Sequence, residues 1–183
     1  MRIKIDQNIW LELTAARHAE GLLEAINSSR EQLAEFLPWV PNMQSVDDLA
    51  TYIGKCEQLY EQGLEVSFVI MANDIPVGRI GLHYLNGLNQ NAAIGYWLVE
   101  SAQGQGIMIR SCKALIDYGF SNLKLHRIEI KAATLNFKSQ AIPVKLGFHR
   151  EGILRQAEKV NGKFIDLVLY SMLKPEWEMD AKN

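Results

Sequence analysis

The sequence has very few cysteines and no long apolar run. Cys56 and Cys112 are the only two cysteines among 183 residues, and no CxxC motif or Cys/His cluster surrounds them. This argues against a disulfide framework or a zinc site and predicts two reduced thiols. No run of about 18 apolar residues is present to span a bilayer, and the N-terminal MRIKIDQNIWLEL has no signal-peptide core. We therefore expect a cytoplasmic protein without membrane contact.

An excess of charge of one sign is also lacking. The 19 basic and 21 acidic residues give a net charge of −2, and both signs are spread along the chain. Binding to nucleic acid requires a basic surface, so we expect no direct nucleic-acid partner. The four histidines show no HExxH or similar metal-binding spacing. We expect no metal.

What the sequence does contain is enough apolar material for a core and a regular alternation of patterns. Hydrophobic residues make up 48% of the chain, which suits a single domain over residues 1–183. The periodicity predicts strands and helices in this order: a strand at 9–14, two short helices within 16–37 broken near Asn27–Ser29, a helix from Ser45 to Gly63, three strands between 65 and 99, a helix at 107–121, a strand at 128–134, a helix ending at Gly147, and two strands joined by Asn161-Gly162. The fold class is therefore α/β, of the α+β type.

A loop with two glycines, SAQGQGIM at 101–108, lies between a predicted strand and a predicted helix. Backbone amides at a helix N-terminus form an anion site, and glycines allow a ligand to approach closely. A Walker loop is disfavoured because no Lys follows the glycines at the required spacing, and a dinucleotide fingerprint is disfavoured because Ile109 replaces its third glycine. A plain tight turn stays open as the alternative.

Four motifs in register resemble one family. The run from Gln103 to Met108 is similar to the Q/R-x-x-G-x-G/A acetyl-coenzyme A motif of the GCN5-related N-acetyltransferases (GNAT). Three further features resemble its ribosomal-protein N-acetyltransferase branch, in particular the ribosomal-protein-serine acetyltransferases: NxxS at Asn136 and Ser139, LGF at 146–148, and the tail from EGILRQAEKV to YSML. The resemblance covers residues 9–174 and departs at Met108, where Gly or Ala is usual.

The resemblance implies a GNAT fold with acetyl-CoA as cosubstrate. The expected architecture is a mixed central sheet of about seven mostly antiparallel strands, splayed between strands 4 and 5, with flanking helices. The pantetheine arm is expected to insert in this splay, and the loop amides to hold the pyrophosphate. The implied cofactor-binding residues are Leu98, Val99, Gln103, Gly104, Gln105, Gly106, Ile107, Met108, Ile109 and Asn136.

The same resemblance suggests two catalytic residues. Glu158 matches the general base proposed for the branch, with Glu100 and Glu129 as weaker candidates. Ser139 matches the residue proposed to protonate the thiolate, because the segment after the fifth large strand has no tyrosine. As an alternative, Asn136 or Ser139 caps the helix. Pro143 complicates that helix, since it would clash with the Ser139 carbonyl; either the helix starts later, or it is distorted and leaves that carbonyl to the cofactor.

The acceptor is implied only as a class. Trp39 matches an aromatic loop beside the acceptor, and His83 and Tyr84 are further candidates to line the groove, although Trp39 is equally expected in a core. The resemblance favours the N-terminal α-amino group of a ribosomal protein. A polyamine, an antibiotic or another small amine stays open, as does a coenzyme A-binding module without turnover. By family analogy we also expect a homodimer.

Overall fold

Eight strands form one mixed sheet in a computed structural model that describes residues 1–180. The strands are β1 (Arg2–Lys4), β2 (Ile9–Leu13), β3 (Val66–Ala72), β4 (Ile75–Asn86), β5 (Asn91–Leu98), β6 (Arg127–Ala133), β7 (His149–Val160) and β8 (Lys163–Leu173). The helices are α1 (Ala19–Ser28), α2 (Arg30–Ala34), α3 (Val46–Glu61), α4 (Ile107–Ser121), α5 (Phe137–Lys145) and α6 (Lys174–Asp180). Within these residues, no helix is both long and apolar enough to cross a membrane.

The sheet has one strand more than the sequence predicts. Its order is β1-β2-β3-β4-β5-β6-β8-β7, and β1 was not predicted. This strand has three residues, of which only Ile3 is partly buried, so it is too short to show an alternating pattern. It is held at the edge by its pairing with β2, including an ion pair between Arg2 and Glu12.

The predicted helices follow from their local signals. The break between α1 and α2 falls at Ser29, as predicted. Ser45 and Asp48 form a capping box at the start of α3, in which each side chain bonds the backbone of the other residue.

The β7–β8 turn has positive φ at both Asn161 (49°) and Gly162 (79°), as a two-residue hairpin of the predicted kind requires.

Strands β5 and β6 pair along only half of their length. They run parallel across the α4 crossover and pair from Asn91↔Arg127 to Ile94↔Ile130. Both strands then continue, as residues 95–98 and 131–133, without pairing to each other. We call the gap between these two segments the cleft. The predicted splay between these strands is confirmed.

The two faces of the sheet are covered by different helices. Ser67 and Phe68, which are adjacent in β3, point to opposite faces. Ser67 accepts a hydrogen bond from buried Arg79 under α3, whereas the Phe68 ring packs edge-on against Tyr118 of α4. We call these the α3 face, covered by α1 and α3, and the α4 face, covered by α4 and α5. Any ligand in the cleft lies between the two.

Candidate active site

The backbone of β5 is free toward the cleft at alternate residues. The Val99 N–H donates to Val77 O of β4 at 2.9 Å, and the Val99 carbonyl accepts from the Ala102 N–H at 3.1 Å. Because alternate residues of an antiparallel strand bond to opposite sides, Tyr96 and Leu98 present their backbone to the cleft. The Leu98 carbonyl is already taken there, since it accepts from Gln103 Nε2 at 3.3 Å. The structure thus differs from the prediction for Val99, whose backbone groups are both satisfied within the protein.

The glycine loop has the geometry of an anion site. Gly104 and Gly106 have φ of 75° and 71°, a region that glycine adopts without strain, and Gly106 precedes α4 without any side-chain cap. The first amides of α4, from Ile107 to Ile109, therefore have no partner within the helix. The Ile107 and Met108 side chains are buried in the core, so they leave this side of the loop open.

Two cations that the sequence reasoning missed lie beside this loop. Lys138 donates from Nζ to the Gln103 side-chain oxygen at 3.1 Å, and Arg110 donates to the Gln105 carbonyl at 3.0 Å. Arg110 and Lys138 belong to α4 and α5, and no spacing in the sequence shows that the two helices meet here. A helix N-terminus with two nearby cations favours a pyrophosphate. The residues present therefore fit the phosphates of coenzyme A.

Ser139 belongs to a hydroxyl pair with Tyr96. The Ser139 Oγ donates to the Tyr96 hydroxyl at 3.2 Å, and that hydroxyl donates to the Ser139 carbonyl at 2.9 Å. Asn136 caps α5 by accepting from the Ser139 N–H at 3.0 Å. Burial raises the pKa of Tyr96 far above its ordinary value, so the phenol stays protonated.

Pro143 explains why Tyr96 takes this position. The helix begins at Phe137 and contains Pro143, which has no N–H to donate to the Ser139 carbonyl. The alternative in which this carbonyl is left for the cofactor is therefore wrong, because Tyr96 occupies it. Tyr96 is separated from Ser139 by 43 positions, so only the fold reveals the contact.

Glu158 is half-buried on β7, close to the hairpin that reaches back over the α3 face. A register shift between Leu154 and Glu158 bends this strand, and Asn161 at its tip donates to the Ala34 carbonyl of α2 at 2.9 Å. Burial raises the pKa of Glu158 above its ordinary value. Within residues 1–180 its carboxylate has no hydrogen-bond or ion-pair partner, and the hydrogen bonds of Ser139 go to Tyr96 and Asn136 instead.

The weaker candidates for the base are less suited. Glu129 accepts from Arg127 Nε and Nη2 at 3.0 and 2.9 Å and lies 3.6 Å from Lys131. This carboxylate is therefore already engaged by two cations. Glu100 is exposed at the start of a short 3-10 turn, and its N–H donates to Ser29 Oγ.

Two of the three predicted acceptor residues lie together on the α3 face. The Trp39 ring packs against Trp97 of β5, with ring centroids 6.0 Å apart. The His83 imidazole lies over Gly95, which precedes Trp97 by two residues in the same strand. His83 Nδ1 is 2.9 Å from Glu65 Oε2, a partner that the sequence reasoning missed. Tyr84 is 82% exposed and lies beside His83, with centroids 6.4 Å apart. Among residues 1–180, no cluster of His, Cys, Asp or Glu is placed to hold a metal ion.

Comparison with known proteins agrees with this geometry. A family model of the acetyltransferase (GNAT) domain matches residues 8–149. YdaF of Bacillus subtilis, named as a candidate ribosomal N-acetyltransferase, is 36% identical over 176 residues, which cover 96% of each chain. The ribosomal-protein-serine acetyltransferase of Escherichia coli is 33% identical over 171 residues, covering 93% of this chain and 96% of the relative.

A solved structure gives the same result for the fold and the cofactor. RimL, a ribosomal L7/L12 alpha-N-protein acetyltransferase solved in complex with coenzyme A, superimposes with a TM-score of 0.92 at 26% identity, covering 96% of this chain and 99% of that one. The predicted fold and cosubstrate are confirmed. This chain therefore belongs to the GNAT acetyltransferases, in their RimJ/RimL branch, and is an N-acetyltransferase that uses acetyl-CoA.

Proposed function

We propose that this enzyme, as a single domain over residues 1–183, acetylates the N-terminal α-amino group of a ribosomal protein. The relatives named above act, by their names, on ribosomal proteins. The structural observation that carries the proposal is the charge on the α3 face of the sheet. Glu65 and Glu129 on the α3 face are already paired with His83 and Arg127, which leaves Glu158 as a free carboxylate. One α-ammonium needs one such partner, whereas a polyamine needs several.

The cofactor is assigned to the cleft and the glycine loop. The amides from Gly104 to Ile109, with Arg110 and Lys138, would hold the pyrophosphate, whereas the Gln103 N–H already donates to the Glu100 carbonyl at 3.1 Å. The backbone of Tyr96 and the Leu98 N–H would bind the pantetheine. When bound, acetyl-CoA supplies an acetyl group activated as a thioester.

Glu158 and the hydroxyl pair are assigned the proton transfers. An α-ammonium has an ordinary pKa of about 7.7–8.0, so a weak base suffices at neutral pH. Glu158, whose pKa is raised by burial, accepts a proton from the incoming ammonium directly or through water. On the other side of the cleft, Ser139 turns its O–H from the Tyr96 hydroxyl to the leaving sulfur, while Tyr96 stays bonded to the Ser139 carbonyl and holds the residue in place.

The acceptor is tested with a panel of amines. Purified protein and acetyl-CoA are mixed with Ser- and Ala-starting ribosomal N-terminal peptides, spermidine and free lysine, and thiol release is followed with mass identification of the product. Acetylation confined to peptide α-amines supports the proposal. Acetylation of spermidine or another small amine alone, or cofactor binding without transfer to any peptide, rejects it.

Two variants test the proton-transfer roles assigned to Glu158 and Ser139. Glu158→Gln and Ser139→Ala should each lower turnover about 100-fold while the coenzyme A dissociation constant stays within twofold. Ser121→Ala, which changes an exposed serine at the end of α4, is the control and should match the unaltered enzyme. Unchanged turnover in either active-site variant removes that residue from the mechanism.

The proposal also includes location and assembly. Ribosomal proteins are made in the cytoplasm, so the enzyme is assigned there. We assign a homodimer because β7 is an edge strand with exposed apolar residues, Ile153 and Phe164, on the β7–β8 hairpin. Sedimentation of the purified protein at micromolar concentration distinguishes a dimer from a monomer.

A further inference from the structure

Glu65 and His83 form a buried acid–imidazole pair at the closed end of the cleft. Glu65 is 8% exposed and lies immediately before β3, and His83 is on the neighbouring β4. The Glu65 Oε2 and His83 Nδ1 atoms are 2.9 Å apart. The second oxygen, Oε1, is buried and has no hydrogen-bond partner. Neither the family motifs nor the proposed mechanism above uses this pair.

The imidazole lies in a notch made by two glycines. Gly81 and Gly95 face each other across β4 and β5, and a Cβ added to either would lie 3.1 Å from His83 Nε2. Any side chain at these positions would displace the ring. Gly95 is also the first residue of β5 beyond its last pair with β6. The Nε2 atom therefore lies where the cleft begins.

The surrounding charges fix where the imidazole hydrogen lies. Arg79, buried beneath Tyr52 and Cys56 of α3, places a positive charge behind Glu65. Burial alone would raise the pKa of Glu65, but the His83 hydrogen bond and charge, with Ser67 and Arg79, lower it. An ionised Glu65 accepts the hydrogen of Nδ1, so in the neutral imidazole the lone pair lies on Nε2.

The other polar groups that face the imidazole do not compete for Nε2. Tyr84 packs beside the ring, and Glu129 and Lys131 of β6 line the same shallow pocket as Tyr84. Glu129 is held by Arg127 and Lys131. Among residues 1–180, His83 Nε2 has no hydrogen-bond partner, although 27% of the side chain is exposed.

The distance along β5 favours this end of the cleft for the reaction. Strand residues rise about 3.3 Å each, so Gly95 lies roughly 13 Å from the end of the strand at Val99. An extended pantetheine arm spans a comparable length, so a cofactor held at the glycine loop delivers its acetyl group near Gly95. Glu158 instead lies on β7, which is separated from β5 by two intervening strands, β6 and β8.

We infer that His83, oriented by Glu65, accepts the proton that the attacking nitrogen loses as the amide bond forms. This inference rests on the proposed function and adds a second proton acceptor to it. Glu158 takes the first proton from the α-ammonium. The neutral nitrogen then bonds to the acetyl carbon, the carbon–sulfur bond breaks, and the second N–H proton passes to Nε2. The sulfur takes its proton from Ser139, which is resupplied from water, so one proton is released overall.

The location of the imidazole hydrogen is tested without turnover. Side-chain 15N NMR on the cofactor-free protein, assigned by the loss of one signal in His83→Gln, should show a protonated Nδ1 and a bare Nε2 for His83. In Glu65→Gln, the His83 hydrogen should no longer be confined to Nδ1. A hydrogen on Nε2 in the unaltered protein overturns the inference.

Turnover is tested with any amine that the panel identifies. His83→Gln should lower kcat about 100-fold with the coenzyme A dissociation constant within twofold, and free imidazole should restore activity to His83→Ala. His126→Gln, which changes an exposed histidine, should behave like the unaltered enzyme. If the kcat of His83→Gln stays within threefold of the kcat of the unaltered enzyme, the inference is overturned. If the amine acetylated is not a peptide α-amine, the proposed acceptor fails, and the His83 comparison is still decided on that amine.

Discussion

The sheet contains two Glu–His pairs with the same contact distance and different surroundings. Glu12 and His18 lie 2.9 Å apart on one side of the sheet, and Glu65 and His83 lie 2.9 Å apart near its centre. In the first pair, His18 Nδ1 accepts from the Ala15 N–H at 3.1 Å, and Glu12 also pairs with Arg2 and Arg17. In the second pair, one carboxylate oxygen and one ring nitrogen have no hydrogen-bond partner among residues 1–180.

This difference separates a structural pair from a functional one. Because His18 Nδ1 is an acceptor, its hydrogen lies on Nε2 and points to Glu12, so both ring nitrogens are satisfied. His83 has the opposite arrangement, with the hydrogen on Nδ1 and a lone pair directed to the cleft. Buried polar groups are usually satisfied, so the unpartnered Glu65 Oε1, beside an imidazole that opens to the cleft, indicates a role for a ligand.

Replacing the carboxylates should give the largest contrast between the pairs. Glu65→Gln removes the anion that stabilises a protonated His83, and kcat should fall about 30-fold, equivalent to about 2 kcal/mol. Glu12→Gln should leave kcat within twofold because that pair is far from the cleft. Steady-state kinetics at saturating acetyl-CoA measure both. Equal losses in the two variants would show that the pairs do not differ in function.

Removing the structural imidazole should give the next largest effect, on stability. His18→Ala leaves the partly buried Ala15 N–H without its partner, and the free energy of unfolding should fall by about 1.5 kcal/mol. Urea denaturation measures this change. The kcat at temperatures well below unfolding should stay within twofold, and a tenfold loss of kcat would contradict the assignment of His18 as structural.

Shifting the functional imidazole should give a smaller loss of turnover. In Gly95→Ala the new Cβ would lie 3.1 Å from His83 Nε2, so the ring must move by a few tenths of an ångström. We expect kcat to fall about fivefold through this misplacement. The same substitution at exposed Gly87, where a Cβ meets no atom within 4 Å, is the matched control. No loss in Gly95→Ala would show that ring position is unimportant.

Acid titration should give the smallest effect and involve the structural pair. The His18 hydrogen bond, opposed by burial and aided by Arg2, lowers the pKa of Glu12 from 4.5 to about 2. Because the folded-state pKa is depressed, this stabilisation is complete above about pH 4.5 and is lost as the pH falls toward 2. As the pH falls from about 4.5 toward 2, the urea concentration at the midpoint of unfolding should fall less in Glu12→Gln than in the unaltered protein. Arg2 and Arg17 are exposed, so we expect a difference below about 1 kcal/mol.

The sequence predicted those features that depend on neighbouring residues. The Ser45 cap, the break at Ser29 and the Asn161-Gly162 turn are local signals, and each lies where it was predicted. The splay of the sheet came from family resemblance, because the loss of pairing after Ile94 has no local pattern. Strand β1 was missed since three residues cannot show a period.

The site was predictable only in its motif residues. The glycine loop and Ser139 come from short, continuous patterns. Tyr96, Glu65 and Lys138 were missed because their partners are distant in sequence, as in the Lys138–Gln103 contact across 35 positions. Arg110 was missed although its partner, the Gln105 carbonyl, is only five positions away, because the family motif ends before it. Pro143 did give a usable signal, since it showed that one carbonyl would lack a helical donor. The sequence could not show that Tyr96 would replace that donor.

The position of β8 sets the order in which the enzyme can be completed during its synthesis. Strand β8 inserts between β6 and β7, although both of those strands leave the ribosome before it. Until residues 163–173 emerge, β7 has no neighbour, and the hairpin tip cannot reach Ala34 of α2. Domains fold as their sequence becomes available, so the wall that carries Glu158 forms last. A nascent chain that lacks its final strand is therefore inactive, even though the glycine loop is already made.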